Sequence, residues 1–275
     1  MSKLGEKSVG SIVKLNVGGT ATDFIVVHQG LPSSDYDSSC DGTWLLMKDV
    51  WSGYSKGWSA DEFPDSLLYD RLNLTTSSSY FMRQLDEDIR SAIPEVKLPY
   101  LQVKNEDSFT VMTGANGFSA KVFILSATEF GFEVGNSSGT QYLTEGAVLD
   151  YFNTTDYSRR VGYLNGSGVP IWTRSPQNYY GTNVWGVYAS YYGQQAGYIG
   201  SMAYSNTNTY MRPALILPAD FGVESDGTIV IGSAIGHSNI GSTWKENANG
   251  YANIGGIWKE IVAGYVNIGG IWKEM

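Results

Sequence analysis

The chain has one cysteine, two histidines and no long apolar run, and each shortage excludes a class of protein. With Cys40 alone, neither an internal disulfide framework nor a multi-cysteine metal site can form, so packing must stabilise the fold. We expect Cys40 to be a partly buried thiol. His28 and His237 are too few for a Ser-His-Asp triad or a His-rich metal site. We therefore predict no metal and no cofactor.

Basic charge is also scarce, since 18 Lys and Arg face 27 Asp and Glu, giving a formal net charge of -9. A nucleic-acid surface needs clustered basic residues to neutralise phosphates, and we find no such cluster, so no nucleic-acid partner is expected. No apolar stretch is long enough to cross a bilayer, and the N-terminus lacks the apolar core of a signal peptide. These features predict a protein made in the cytoplasm, without a membrane span.

The sequence does contain many short strand-like runs separated by Gly and Asn. Residues 11–27 hold two β-branched runs joined at Gly18-Gly19, a pattern that predicts a β-hairpin. Asp65 and Asp86 are the expected caps of two short helices, the second ended by Pro94. A further short helix is predicted over 145–152 and a central strand over 120–127. Other strands are predicted over 43–51, 169–174, 183–189, 196–203, 209–218 and 227–232. Helices in the middle and strands at both ends indicate the α+β class.

The end of the chain repeats a motif with a period of about fourteen residues, which indicates a small modular array. The second and third copies read YANIGGIWKE and YVNIGGIWKE. Each copy is predicted to be one β-hairpin with a tight turn. Because a lone hairpin is marginally stable, we expect the copies to pack on each other, on the preceding domain or on another chain. The predicted division is a domain over 1–232 and a three-unit repeat over 233–275.

Residues 178–210 carry eight tyrosines, one tryptophan and no charge. A core would contain more Leu, Ile and Val, and a disordered segment would contain fewer aromatic residues. Tyrosine among small polar residues is typical of antibody paratopes, so the segment is predicted to be a binding surface. The candidate ligand-binding residues are Asn178, Tyr179, Tyr180, Asn183, Trp185, Tyr188, Tyr191, Tyr192, Gln194, Gln195, Tyr198, Tyr204, Asn206, Asn208 and Tyr210.

We expect most of these tyrosines to be exposed. The alternative is that several belong to the core, because a strand through this segment must turn one face inward. Apart from Trp185, Tyr188, Tyr191, Tyr192 and Tyr198, which are the expected anchors, the candidates are placed at loop tips, where recognition residues are common. Arg174 and Arg212 bracket the segment, and we expect both to hold loop backbone through hydrogen bonds rather than to contact a ligand.

Four stretches together resemble a known family. They are VGSIVKLNVGGTATDFIVVHQG (9–30), TWLLMKDVW (43–51), IWTRSP (171–176) and MRPALILP (211–218). Over roughly residues 8–232 the chain resembles the C-type-lectin-like domain of the formylglycine-generating-enzyme superfamily, as found in retroelement-diversified variable proteins and phage tropism determinants. The resemblance implies a C-type-lectin-like fold with irregular antiparallel sheets and short helices. It also implies that residues 178–210, between the last two stretches, form part of a hypervariable ligand-binding face.

Enzymatic activity is not expected. Relatives in this superfamily that oxidise cysteines use an active-site cysteine pair, and Cys40 has no partner. Asp86, Glu87 and Asp88 lie together but suit the start of a helix, where negative charge is favourable. The triplets typical of calcium-dependent lectins are absent, so binding is expected to be metal-free.

The resemblance implies a phage tail-associated host-recognition protein that binds a bacterial cell-surface protein or glycan. The C-terminal repeats would attach it to other virion or tail proteins, and its location would be the virion. The alternative is a structural tail protein, or a lectin-like adhesin of fixed specificity without diversification.

Overall fold

The structure is a computed structural model of the 275-residue chain. It describes residues 2–54, 62–105, 108–132, 144–177, 183–231, 236–240, 243–247, 251–254, 257–260, 265–268 and 271–274.

The described chain forms antiparallel β-sheets with a few short helices, an arrangement compatible with the predicted α+β class. The helices are α1 (Leu67–Asn73), α2 (Phe81–Gln84) and α3 (Glu87–Ala92). The strands are β1 (Ser2–Lys3), β2 (Ile12–Val17), β3 (Thr20–Gln29), β4 (Thr43–Met47), β5 (Val96–Leu98), β6 (Tyr100–Asn105), β7 (Ser108–Met112), β8 (Phe118–Ala120), β9 (Val122–Phe123), β10 (Gly162–Leu164), β11 (Ser167–Val169), β12 (Ile171–Pro176), β13 (Asn183–Tyr188), β14 (Tyr198–Ala203), β15 (Ala214–Leu217), β16 (Gly222–Val223), β17 (Ile229–Val230), β18 (Gly236–Ile240), β19 (Thr243–Asn247), β20 (Tyr251–Ile254), β21 (Ile257–Glu260), β22 (Tyr265–Ile268) and β23 (Ile271–Glu274).

The largest sheet has five antiparallel strands in the order β2-β3-β4-β15-β9. Every residue of β4 and β15 is buried, because both faces of the sheet are covered at its centre. The core beside β4 is aromatic, and the ring of Trp44 meets Tyr36 and Phe123 edge-on, with centroid distances of 5.4 and 5.6 Å. This sheet pairs residues 43–47 with residues 214–217, which lie far apart in the sequence.

The opening hairpin is confirmed. β2 pairs with β3 around Gly18 and Gly19, whose φ angles are 61° and 81°. Glycine is the residue that adopts this left-handed backbone without steric cost, so the Gly-Gly pair determines the turn.

The strands predicted over 43–51, 120–127, 209–218 and 227–232 are shorter than expected, and the one over 120–127 was also placed wrongly in the sheet. β4 ends at Met47 and does not continue to residue 51. In the apolar run 120–127 only β9 is extended sheet beyond Ala120, and β9 lies at the edge of the five-stranded sheet rather than at its centre. After Phe123 the chain leaves the sheet, and the carbonyl of Leu125 accepts a bond of 3.1 Å from the amide of Arg174 in β12. An apolar run indicates that its residues are buried, and here these residues are buried by loop packing as well as by the sheet.

The helix caps differ in part from expectation. Ser66, not Asp65, caps α1, because its hydroxyl accepts the amide of Tyr69 at 3.2 Å. Asp86 does precede α3, but it makes no capping bond and instead accepts a bond of 3.1 Å from the side chain of Asn16. The predicted helix over 145–152 is wrong except for one 3-10 turn, Asp150–Phe152.

Cys40 is fully buried rather than partly buried. Its Sγ donates to the carbonyl of Lys97 at 3.1 Å. Burial raises the pKa of the thiol to about 12, so it stays protonated and unreactive near neutral pH.

A second sheet, β12-β13-β14, contains two strands from the segment predicted to bind ligand. The register pairs Tyr188 with Tyr198 and Gly186 with Gly200, so these side-chain positions share one face. The amide of Trp172 in β12 donates to the carbonyl of Tyr210 at 2.9 Å, which ties this sheet to the chain leading into β15.

The three repeats each form one antiparallel hairpin, β18–β19, β20–β21 and β22–β23, as predicted. The predicted domain boundary at residues 232–233 lies outside the described residues, and the division into two domains stays a prediction. Across the described ranges no helix combines the length and the apolar character that a membrane span requires.

Candidate ligand-binding groove and tyrosine hairpin

Beneath the second sheet, β12 is held by a buried cluster of charges. The guanidinium of Arg174 contacts both carboxylate oxygens of Glu129, with Nη1–Oε2 at 2.5 Å and Nη2–Oε1 at 2.7 Å. Its Nε lies 3.1 Å from Oε1 of Glu145, and the other oxygen of Glu145 accepts a hydrogen bond from the hydroxyl of Ser175. Tyr36 donates to Glu129 at 2.8 Å. The arrangement fastens β12 to three distant segments of the chain.

Two carboxylates share one guanidinium in this cluster, and burial alters the titration of Glu145. Burial raises the pKa of Glu145 to about 7, although the charge of Arg174 acts in the opposite direction. Burial alone would lower the pKa of Arg174, but Glu129 and Glu145 raise it above its ordinary value. Near neutral pH, Glu145 is therefore balanced between its protonated and its ionised form.

Arg212 is the second hub that we predicted, and it is also buried. Its Nε donates to the carbonyl of Met47 at 3.1 Å, and its Nη1 donates to three successive carbonyls, those of residues 159–161, at 3.3–3.4 Å. Burial lowers the pKa of Arg212 to about 10. Both arginines hold backbone in place, as the sequence indicated, and Arg212 fixes the segment that ends at Arg160.

The loop between β13 and β14 ends in a tight turn with an exposed aromatic tip. Tyr191 and Gln194 pair across the turn, and Tyr192 and Gly193 form it with φ angles of 21° and 76°. A left-handed backbone is costly for a bulky residue such as tyrosine. Tyr192 nevertheless occupies this position, and its side chain is 94% exposed.

Four tyrosines of this hairpin pack against one another, and we call them the tyrosine cluster: Tyr188, Tyr191, Tyr192 and Tyr198. The rings of Tyr191 and Tyr198 are stacked at 5.4 Å with 11° between their planes, and Tyr188 lies 4.6 Å from Tyr191. A Cβ atom on Gly200 would come within 2.7 Å of the Tyr198 ring and 3.3 Å of the Tyr188 ring. The absence of a side chain at Gly200 thus lets two rings lie flat on the sheet.

A groove of about 690 Å³ opens beside the tyrosine cluster. One wall is the hairpin, the other is the segment 152–160, and Gly131 and Phe132 complete it. Its lining residues are Gly131, Phe132, Val148, Phe152, Asn153, Thr154, Thr155, Tyr157, Arg160, Gln194, Gln195, Tyr198 and Ile199. The volume lies within the range of about 300–1,000 Å³ that is usual for small-molecule sites.

The two walls of the groove touch at Gly197. An added Cβ atom there would lie only 1.8 Å from the carbonyl oxygen of Tyr157, and the φ angle of Gly197 is 82°. Glycine is therefore required at this position for two reasons, backbone conformation and close approach of the opposite wall.

We expect Gly197→Ala to lower the free energy of unfolding by clearly more than Gly193→Ala. Both glycines have a positive φ angle, but only Gly197 has a neighbour that an added Cβ would clash with. Gly193 has a similar φ angle of 76° but open space around the added Cβ. Backbone strain alone costs about 1–2 kcal/mol, and Gly197→Ala adds the clash with Tyr157. Urea unfolding of both variants measures the difference. Equal losses would show that the walls do not make this contact.

The candidate residues divide into several groups. Asn178, Tyr179 and Tyr180 lie outside the described residues. The tyrosine cluster, Gln194 and Gln195 form the hairpin and one wall of the groove. Trp185 is half-buried against Phe132, with ring centroids 4.8 Å apart.

The remaining candidates do not all lie at loop tips as expected. Asn183 lies in β13, and its side chain donates to Ser201 at 3.0 Å. Tyr204 and Tyr210 are half-buried and pack against the core, and the backbone of Tyr210 bonds to β12. Asn206 caps a turn by accepting the amide of Asn208 at 3.1 Å, and Asn208 is exposed.

The expectation that most of the tyrosines are exposed is wrong for the described part of residues 178–210. Tyr191 and Tyr192 are exposed, whereas Tyr188, Tyr198, Tyr204 and Tyr210 are half-buried. Tyr188 and Tyr198 lose exposure because their rings pack against Tyr191, and Tyr188, Tyr204 and Tyr210 also lie against the core. The alternative left open by the sequence, that several tyrosines have a packing role, therefore holds in part.

The second wall of the groove was not predicted from the sequence. Tyr157 and Arg160 line it together with Thr154 and Thr155, all from a segment that attracted no functional interpretation. The available signal was weak: two adjacent arginines that follow an aromatic residue in a predominantly acidic chain.

A family model described as Domain of unknown function (DUF6273) matches residues 41–219. Searches of curated proteins and of solved structures give no match. The matched range runs from just before β4 to just after β15, and it contains the buried charge cluster, the tyrosine hairpin and the groove. Because the match covers more than half of the chain, the protein belongs to the DUF6273 family.

Proposed function

We propose that the protein recognises a ligand on a bacterial cell surface, as a phage tail-associated host-recognition protein whose contact face is the tyrosine hairpin and the adjoining groove. The observation that carries the proposal is Tyr192, an aromatic residue at the tip of the hairpin, almost completely exposed and in a left-handed conformation.

The position of Tyr192 is unfavourable for the folded chain by itself. Its ring buries little surface on this chain, and Asn-Gly or Gly-Gly would form the same turn with less strain. Residues held in such conformations cluster at functional sites, so an observed outlier supports a functional hypothesis. Tyrosine also offers a large rigid contact face with few rotatable bonds, which reduces the entropy lost on binding.

The surroundings of the hairpin support the same proposal. Tyr188 and Tyr198 both pack against Tyr191 next to the exposed tip, and Gly197 and Gly200 fix the loop against its neighbours. Pre-organised aromatic surfaces of this kind are favoured in recognition because little has to be ordered on binding. We assign the domain a C-type-lectin-like fold on the strength of the sequence resemblance, and the irregular antiparallel sheets are compatible with that assignment.

Attachment to a larger particle completes the proposal. The three C-terminal hairpins are the segment proposed to bind other virion or tail proteins. Many copies on one particle make weak individual contacts effective through avidity. Hypervariability of the segment stays a prediction of the resemblance. Sequencing codons 171–212 across a natural population tests it, and an evenly conserved gene would contradict it.

We expect Tyr192→Gly to reduce cell binding about thirtyfold, the loss of about 2 kcal/mol that defines an interface hot spot. Thermal stability should stay the same or rise, because glycine removes the backbone strain. The measurement is flow cytometry of labelled full-length protein on a panel of bacterial strains, with melting curves of the same samples.

Tyr191→Ala and Tyr163→Ala form a matched pair for this experiment, because both tyrosines are 39% exposed and Tyr163 lies in β10, outside the hairpin. Binding should fall for Tyr191→Ala and stay unchanged for Tyr163→Ala. Undiminished binding by Tyr192→Gly and Tyr191→Ala, or an equal loss from all three substitutions, would contradict the proposed contact face.

A further inference from the structure

Arg160 is a buried cation at the floor of the groove, and its side chain lacks a carboxylate partner among the described residues. Only 5% of the residue is exposed. The guanidinium carbon lies 4.0 Å from the centroid of the Tyr157 ring, and Nη2 donates to the carbonyl of Gly131 at 2.9 Å. Burial lowers the pKa of Arg160, and no ion pair in the described structure offsets that cost.

The other two buried arginines have many more polar partners than Arg160. Arg174 is paired with two carboxylates, and Arg212 donates to four backbone carbonyls. Arg160 uses one of its five N–H donors in the bonds that the described residues make. A buried charge without compensation is costly, and a guanidinium with free donors at the floor of an open groove suits an anion delivered by a ligand.

The rest of the lining is typical of saccharide recognition. Tyr157 and Tyr198 supply aromatic surface to the lining for the C–H groups of a sugar, although Arg160 covers one face of Tyr157 and Tyr191 covers one face of Tyr198. Hydroxyls and amides at the mouth can exchange hydrogen bonds with sugar hydroxyls, and they belong to Asn153, Thr154, Thr155, Gln194 and Gln195. A charged peptide would be expected to meet several cations, whereas Arg160 is the sole charged residue in the lining that the structure describes.

We propose that this groove binds an acidic saccharide, with the carboxylate of a uronic or sialic acid paired to Arg160 and a neighbouring sugar ring against Tyr198. The inference rests on the proposed function, since it names the chemical class of the cell-surface ligand. The planar fork of arginine matches a carboxylate in a bidentate geometry. The net charge of -9 repels polyanions at long range. The preference for an acidic over a neutral saccharide therefore depends on Arg160 alone.

The test is isothermal titration calorimetry of the full-length protein with two acidic probes, trigalacturonate and 3′-sialyllactose. Their neutral counterparts are the methyl ester of trigalacturonate and lactose. At least one acidic probe should bind, and its neutral counterpart should bind at least about tenfold more weakly. Absence of binding by both acidic probes, or equal binding of acid and neutral forms, overturns the proposal. Inorganic phosphate and tetraglutamate are tested in parallel, and binding of either without the saccharides also overturns it.

Arg160→Gln should weaken the acidic probe at least about tenfold, and Arg160→Lys should weaken it less because the charge remains. Arg159→Gln is the matched control, because Arg159 is exposed, lies near Asp156 and does not line the groove. If Arg160→Gln lowers the melting temperature, the comparison of acid with methyl ester on the unchanged protein still decides the question. Equal effects of Arg159→Gln and Arg160→Gln would exclude the assigned role.

Cell binding separates this inference from the proposed function. Loss of cell binding by Tyr192→Gly together with full binding by Arg160→Gln would retain host recognition and refute the acidic-saccharide site. Loss with both variants supports both proposals, and full binding by both variants refutes both.

Discussion

Replacing Arg174 with Ala should lower the free energy of unfolding by about 3–5 kcal/mol, the cost typical of breaking a buried ion pair by removing one partner. The substitution leaves Glu129 and Glu145 buried without a cation and removes the bonds to the carbonyls of Ile124 and Pro99. The free energy of unfolding of a domain is only about 5–15 kcal/mol, so this substitution would remove much of it. Urea unfolding of the full chain at pH 7 measures the loss.

Arg83→Ala is the control for this experiment. Arg83 lies in α2, is exposed and takes part in no ion pair that the structure describes. Substitutions at such surface positions usually change stability by less than about 0.5 kcal/mol. A loss below about 1 kcal/mol for Arg174→Ala would show that the cluster is not a dry, closed ion pair.

Stability should fall as the pH rises from about 5 to 8, and Glu145→Gln should remove much of that dependence. The pKa of Glu145 is 4.5 in its ordinary state and about 7 in the folded chain. Between these values the folded state holds a proton that the unfolded state has lost. The stabilisation is therefore complete below about pH 4.5 and is lost as the pH rises through about 7, by up to about 3 kcal/mol at about 1.4 kcal/mol per pKa unit.

The measurement is a series of urea unfolding curves between pH 5 and 8. Glutamine keeps the shape of Glu145 and imitates its protonated form, so the variant should be the more stable protein at pH 8. Glu224→Gln serves as the control, because Glu224 is exposed and should leave the wild-type pH profile unchanged. Identical pH profiles for Glu145→Gln and wild type would contradict the assignment of the proton to Glu145.

Features set by neighbouring residues were predictable from the sequence. The Gly18-Gly19 turn and the three terminal hairpins each depend on a short local pattern, and all of them form as expected. The strand at 120–127 failed because an apolar run indicates burial but not which element buries it. Ser66 and not Asp65 caps α1. Both residue types are good caps and they are adjacent, so the sequence alone does not show which one is used.

The site was predictable on one wall only. The composition of residues 178–210 led to the hairpin, because tyrosine and small polar residues are unusual together. Arg159 and Arg160 are chemically identical in the sequence, and one becomes buried only because Tyr157 and the carbonyl of Gly131 surround it in the fold. That juxtaposition spans 29 residues and has no local signature.

The hairpin separates positions that hold it in place from positions that are free to change. Gly197 and Gly200 at its base meet neighbours closer than a side chain permits, whereas an added Cβ at Gly193 meets nothing within 4 Å. Residues 191–195 are all exposed. A synthetic library that randomises residues 191, 192, 194 and 195 should thus yield mostly folded members, provided that it keeps both base glycines and Gly193, whose φ angle of 76° favours glycine. The domain would then serve as a small, disulfide-free scaffold for selecting new binders in reducing compartments, where antibody fragments lose their crosslinks.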